Sequence, residues 1–310
     1  MKSIYFAPLQ GYTDDVYRRV HNELIGGVKL YYTPFVRVEA GSIRSKDIRD
    51  ISPANNKNVP VVPQIIFNSR KEFEYLVGRL LELGYKEIDL NMGCPFPLQC
   101  KHKRGAGILA HNDIISDIVE GIKRYSDIRF SVKMRLGWEK PQEAENVVQL
   151  LNGVELQHIT LHPRTGIQQY KGNIDIDAFA RVYSLSDNPV VYNGDILSIE
   201  DIYNIERRFP DVKGFMIGRG LLGCPSLAKE YNEGVVWSRE ERIALMLNMH
   251  SALIKEYSLF LKGETQILNK MRTFWEYSEQ LLTRKPYKKV LKSGNLKNYL
   301  LAVTELKNLY

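Results

Sequence analysis

Cysteine is scarce in this chain: three among 310 residues, at Cys94, Cys100 and Cys224. So few thiols at such wide spacing exclude a disulfide framework and a structural zinc site. No run approaches the roughly 20 consecutive apolar residues needed to cross a bilayer. There is no internal repeat of fixed short period and no low-complexity segment. The opening Met1-Lys2-Ser3 leads straight into a strand-like segment, so neither a signal peptide nor a transit peptide is expected. The first apolar run is followed by Pro8-Leu9-Gln10-Gly11, not by the Gly-x-Gly-x-x-Gly turn of a doubly wound dinucleotide fold. Together these absences point to a reduced, cytoplasmic protein with one large α/β unit or two ordinary domains.

Charge is present and unevenly spread. Lys and Arg number 43 against 36 acids, for a net +7. From Glu240 to Tyr310 there are 12 basic and 7 acidic residues, so this tail holds +5 and the rest of the chain only +2. Arg284, Lys285, Lys288, Lys289, Lys292 and Lys297 follow one another with no acid between them. Such a cluster fits a polyanionic partner, and it equally fits a solvated helical face.

Short apolar runs recur at Ile4–Ala7, Leu30–Phe35, Val61–Ile66, Glu87–Asn91, Phe130–Met134, His158–Leu161, Val190–Tyr192 and Gly214–Ile217. Helical patterns follow most of them. Ser69-Arg-Lys-Glu72 reads as a capping box before Phe73, Leu76, Val77, Leu80 and Leu81, with Gly84 as the stop. Pro141 and Ser198 open two more. Eight buried strands alternating with amphipathic helices predict a (β/α)₈ TIM barrel over residues 1–238. Beyond Ser238 the pattern is helical only: Thr265–Leu282 and Leu296–Leu306 place apolar residues at helical spacing. The expectation is therefore a small all-helical domain over residues 239–310.

In such a barrel, chemistry sits at the C-terminal ends of the strands. There the sequence has Pro8-Leu9-Gln10, Gln64, Asn91-x-Gly93-Cys94-Pro95, Lys133-x-Arg135, His162-x-Arg164-Thr165, Asn193-Gly194-Asp195 and Gly218-Arg219-Gly220. Strand interiors avoid such residues, and their concentration at one end marks a site. Taken in order, with Gly105-Ala106-Gly107 and Tyr170-x-Gly172, these stretches resemble the tRNA dihydrouridine synthase family. The resemblance spans the barrel, and a helical C-terminal domain also belongs to that family.

The resemblance implies FMN as cofactor, NADPH or NADH as reductant, and tRNA as substrate and partner. Pro8, Leu9, Gln64, Lys133 and His162 would surround the flavin ring. Asn193, Gly194, Asp195, Gly218 and Arg219 would hold its phosphate, glycine letting backbone N–H groups come close. Lys133 would stabilise the negative charge that reduced flavin gathers. Cys94 would be the general acid, since an ordinary thiol is protonated at neutral pH. Asn91, Arg135 and Tyr170 would contact uracil, and Lys101-His102-Lys103-Arg104 would form a basic lid near a backbone phosphate. The chain departs from the family pattern at Leu9, where methionine is usual, and at Phe96-Pro-Leu-Gln-Cys100 in place of a Lys-Val-rich stretch. Two other readings stay open: an FMN barrel acting on free pyrimidines, and a non-catalytic RNA-binding protein on the same scaffold.

Overall fold

A strand covered on both faces tends to be apolar along its length, and most of the eight runs read so. In the computed structural model, which describes all residues Met1–Tyr310, the runs form strands β1 (Ser3–Phe6), β2 (Leu30–Tyr32), β3 (Val61–Val62, resuming at Gln64–Ile65), β4 (Glu87–Met92), β5 (Arg129–Arg135), β6 (Ile159–His162), β7 (Val190–Tyr192) and β8 (Gly214–Ile217). All are parallel neighbours in one ladder whose two ends are the two halves of β3. The first half pairs with β2 (Tyr31↔Val61) and the second with β4 (Gln64↔Asp89), so the ring closes within a single stretch of chain. Pro63 makes the switch. It has no N–H to give, and its carbonyl accepts from the Asp89 amide at 2.9 Å. The architecture is the TIM barrel that the pattern predicts.

Local differences from expectation have local causes. Strand β2 stops at Tyr32 instead of reaching Phe35, because Pro34 cannot join the ladder. The chain touches the sheet again only at Val36, by a bridge to Ile65. The helix Arg70–Glu82 starts at Ser69, whose hydroxyl accepts from the Glu72 amide, but the capping box is only half formed. The Glu72 carboxylate accepts from the Asn68 amide and pairs with Arg104 across the surface. At Ser198 both halves of the box are present.

Helices Arg239–Ser258, Glu264–Trp275, Arg284–Leu291 and Leu296–Lys307 complete the chain. The helix expected over Thr265–Leu282 ends at Trp275. Ser278 Oγ donates to the Trp275 carbonyl at 2.8 Å, and the Tyr277 carbonyl lies so close to Gly223 that a Cβ there would sit 2.6 Å from it. That approach holds the turn out of helical register. The first tail helix lies along the helix Asp15–Leu24. Its apolar residues Met246, Leu253 and Tyr257 belong to the same continuous core as the layer between strands and helices.

The tail also fixes the loop after β1. Asp14 caps the helix Asp15–Leu24 through the Tyr17 amide, while its carboxylate accepts from Tyr257 Oη at 2.7 Å and pairs with Lys270 Nζ at 2.8 Å. Lys270 also donates to the Gly11 carbonyl at 2.7 Å. The loop carrying Pro8 and Leu9 is thus anchored from outside the barrel. No helix is long and apolar enough to cross a membrane.

Candidate active site

The barrel interior is filled unevenly. Its apolar filling is a small cluster, Tyr5, Ala7, Tyr32, Val62, Val191 and Met216. Across β3, β4 and β5 the register aligns polar residues instead: Gln64 with Asp89 and Asp89 with Ser131, then Asn91 with Lys133 one layer higher. Above them, at the C-terminal ends of the strands, opens a cleft of about 950 Å³ with its solvent-facing mouth included. Every site residue expected from the sequence lines it, from Pro8 and Leu9 round to Gly218 and Arg219.

Strands β4 and β5 carry the thiol side of the cleft. The Asn91 side-chain oxygen accepts from the Gly93 amide at 3.1 Å and the Cys94 amide at 2.9 Å, which folds the loop back over the strand end. Gly105-Ala106-Gly107 supports this loop from behind. A Cβ on Gly105 would lie 2.5 Å from the Cys94 carbonyl, and one on Gly107 would lie 2.6 Å from that of Cys100. Only glycine allows that approach, and Gly105 also holds φ +58°. Cys94 is a free thiol that burial pushes above the ordinary thiol pKa, with Arg135 and Lys133 opposing the shift. It is protonated at neutral pH. Cys100 donates its S–H to the Cys94 carbonyl at 3.3 Å.

Lys133 has no carboxylate or carbonyl partner in the protein. Burial, then the nearby Arg135 charge, pushes its pKa down to about 8. Arg135 is itself buried. It donates through Nε to the Gly93 carbonyl at 3.0 Å and through Nη1 to the carbonyls of Thr165 and Gln169 at 2.9 and 2.5 Å. Three of its five N–H groups thus stitch the β4 loop to the β6 loop, leaving the two on Nη2 for the cleft.

His162 is buried, and desolvation followed by the charge of Arg135 holds its pKa well below the ordinary value. Its Nε2 lies 3.3 Å from Arg164 Nη1. A guanidinium only donates, so Nε2 accepts and Nδ1 carries the proton.

The far side of the cleft is built for an anion. The amides of Gly194, Asp195 and Gly218 donate to no protein acceptor. Gly218 packs under Ala7 and Leu9, where a Cβ would come within 3.4 Å of both side chains. Arg164 pairs with Asp195 through two guanidinium nitrogens and also donates to the Gly172 carbonyl at 2.9 Å. Arg219 reaches the same carboxylate at 2.7 Å. Burial alone would raise the Asp195 pKa, but the bonds to Arg164 and then Arg219 hold it low. Tyr170 is half exposed at the rim, with Arg219 4.8 Å and Arg135 5.2 Å from its ring centre.

Two residues do more than the strand-end pattern alone suggests. Asp89 is fully buried beneath the cleft, and Arg164 organises the anion side. Asp89 stands two residues before Asn91 on the same strand face, and Arg164 two residues after His162. The period-2 rule applied to Asn91 leads to Asp89. In the lid, Arg104 is held by Glu72 and does not face the cleft, whereas Lys101, His102 and Lys103 are exposed.

A family profile described as Dihydrouridine synthase (Dus) matches residues 5–308. The chain is 30% identical over 242 residues to the tRNA-dihydrouridine(16) synthase of Neisseria meningitidis, covering 74% of this chain and 72% of that one. It is 29% identical over 248 residues to the tRNA-dihydrouridine(16) synthase of Vibrio parahaemolyticus, covering 76% of each. The tRNA-dihydrouridine synthase B of Pseudomonas aeruginosa is 26% identical over 228 residues, with 73% of this chain and 68% of that one covered. Among solved structures, the old yellow enzyme from Trypanosoma cruzi superposes with a TM-score of 0.54 at 11% identity, over 76% of this chain and 89% of that one. At that identity the likeness is one of fold alone.

Proposed function

Because the chain belongs to the dihydrouridine synthase family, we propose that it reduces a uridine of tRNA to dihydrouridine in this cleft, with FMN as the flavin and Cys94 as the proton donor. The observation that carries the reading is the meeting, in one cleft, of an unpaired cation, three free amides beside an arginine, and a protonated thiol. FMN held there would supply the hydride that adds to carbon 6 of uracil, with NADPH as the source of its electrons.

The residues present fit that group. Gly194, Asp195 and Gly218 offer N–H donors and Arg219 a charge for the phosphate, and Gly218 carries no Cβ to crowd Ala7 and Leu9. Lys133 has no other charge to neutralise, so it is free to compensate the anionic ring of a reduced flavin. Gln64 keeps one N–H unused after its bond to Asp89, and His162 keeps Nδ1–H, so both would donate to ring acceptors. Pro8 and Leu9, held by the anchored β1 loop, supply apolar surface.

Addition at carbon 6 leaves negative charge on carbon 5 and the neighbouring carbonyl. Cys94 gives its proton to carbon 5, and the resulting thiolate is steadied by the charges of Arg135 and Lys133 until water reprotonates it. Arg135 Nη2, the remaining Asn91 N–H and Tyr170 would receive the base edge, replacing the pairing that a flipped uridine leaves behind. Residues 239–310 form the tRNA-binding domain in this reading, their exposed cations meeting the backbone, and the enzyme acts in the cytoplasm where its substrate is.

The direct test supplies purified protein with FMN, NADPH and tRNA lacking dihydrouridine, and maps the product by mass spectrometry. Position 16 is the first to inspect, since relatives carry that number in their names. Appearance of dihydrouridine only with tRNA present supports the reading. Turnover of free uridine nucleotide with no turnover of tRNA would favour the free-pyrimidine alternative.

A further inference from the structure

Asp89 lies outside the cleft yet is bonded to it through an unbroken line of side chains. Its Oδ1 accepts from Ser131 Oγ at 2.5 Å and its Oδ2 from Gln64 Nε2 at 2.6 Å. Gln64 Oε1 then accepts from Asn91 Nδ2 at 2.7 Å, and Asn91 Oδ1 accepts from the amides of Gly93 and Cys94. An amide side chain can face either way in isolation, but here both ends of the line are fixed. A carboxylate oxygen at one end accepts, and backbone N–H groups at the other only donate. Only one orientation of Gln64 and of Asn91 satisfies both ends. Asp89, Gln64 and Asn91 are all buried, so a wrong orientation would strand polar groups away from water.

We propose that Asp89 is a positioning residue: through Gln64 and Asn91 it fixes the backbone of the Cys94 loop and so sets where the thiol points. The inference rests on the reading of Cys94 as proton donor, and it names what aims that donor. Each side-chain bond in the line is short, and the line runs across neighbouring strands, so it is as rigid as the sheet that carries it. The other ties of the loop hold its carbonyls, through Arg135 to Gly93 and through the Ala106 amide and Cys100 to Cys94, so the amides of Gly93 and Cys94 are left to Asn91.

The test is peptide-resolved alkylation of Cys94 by a small thiol reagent, on flavin-loaded full-length protein, with and without Asp89→Asn. Above about pH 7, where Asp89 is ionised, asparagine keeps shape and volume but turns a charge-assisted bond into a neutral one. Loosening the anchor by that amount should speed Cys94 alkylation and slow proton-dependent uridine reduction, each by roughly threefold to tenfold. Loss of packing alone predicts no change in this nearly isosteric variant. The double variant Asp89→Asn/Gln64→Glu moves the carboxylate one residue along the line, where it accepts from Asn91 directly, and should return alkylation to the wild-type rate. Should Asp89→Asn fail to fold, recovery of folded protein with wild-type alkylation in the double variant supports the line, and a double variant as defective as the single overturns it. Wild-type alkylation and turnover in folded Asp89→Asn would also overturn it. Full turnover in Cys94→Ala would instead refute the reading beneath it, so the two failures are distinguishable.

Discussion

Replacing Cys94 with alanine separates the two halves of the reaction. The thiol is held above its ordinary pKa by burial, so at neutral pH nearly every molecule carries the proton. Positioned general acids contribute about 10²- to 10⁴-fold, and the setting argues against the low end. Cys94 is only partly accessible, and the Arg135 guanidinium beside it, which stabilises a thiolate, is far too weak an acid to replace it. Cys94→Ala should therefore bind flavin and accept electrons from NADPH at the wild-type rate, then transfer them to tRNA at least about a hundredfold more slowly. Stopped-flow spectroscopy reads both halves in the visible flavin absorbance, first on mixing with NADPH without oxygen, then on mixing the reduced protein with tRNA. A serine variant should resemble alanine, because a hydroxyl is a weaker acid still. Reoxidation by tRNA within about threefold of wild type would refute the assignment, because a lost general acid costs far more. Slowing of both halves would show that the substitution had disturbed the cleft.

Other substitutions probe the rest of the cleft and the tail. If its guanidinium serves the phosphate as proposed, Arg219→Ala should weaken FMN about tenfold or more while leaving riboflavin binding unchanged; equal weakening for both flavins in a titration would place Arg219 elsewhere. Lys133→Met should shift the flavin potential negative by tens of millivolts in spectroelectrochemistry, since a cleft cation with no counter-charge or carbonyl partner is gone; an unmoved potential would mean that Lys133 does not face the ring. Neutralising Lys285, Lys288 and Lys292 together should reduce the slope of log Kd for tRNA against log salt by about 0.7 to 0.9 for each phosphate that these lysines neutralise, and an unchanged slope would show that this face of the tail stays in solvent. Burial raises Asp89 to about pH 7 against the opposing bonds of Gln64 and Ser131, so the folded state keeps a proton that the unfolded chain releases. Its stability contribution is complete below the ordinary aspartate pKa and is lost as pH rises through about 7; Asp89→Asn should flatten that decline in urea midpoints taken between about pH 5 and pH 8, and an identical slope would contradict it.

Strand positions are legible in the sequence because both faces of a barrel strand are buried, so each reads as an apolar run wherever it falls. The strand ends are legible for the converse reason, since Asn91, Lys133 and His162 break those runs only where the cleft begins. Helix limits are less legible where tertiary packing decides them. After Trp275 only Ser278 acts locally, and the turn there also packs against Gly223, more than fifty positions earlier in the chain. Glu72 shows the same limit. Its spacing from Ser69 fits a capping box, but Arg104 competes for the carboxylate and wins. Asp89 is hidden for a different reason: one acid inside an apolar strand reads as an exception until the register brings Gln64 and Ser131 beside it.

The cleft divides by strand number, and the division matches two chemical tasks. Strands β6, β7 and β8 end in free amides and paired arginines, a surface that favours a permanent anion and is rigid because Asp195 ties Arg164 to Arg219. Strands β4 and β5 end in a thiol and an unpaired lysine, whose charges must change or respond during a reaction. Arg135 belongs to both halves: it holds the carbonyls of Gly93 on one side and of Thr165 and Gln169 on the other. A buried guanidinium that spends its donors on three loop carbonyls costs several kcal/mol if removed. That cost falls on the relative position of the two halves, which is the quantity that a hydride and a proton delivered to adjacent carbons require to be constant. Arg135→Lys, which keeps the charge but can reach only part of that carbonyl set, should therefore lower kcat for tRNA reduction much more than it lowers flavin occupancy. Equal losses of turnover and flavin would mean that Arg135 holds the cofactor and not the geometry between the halves.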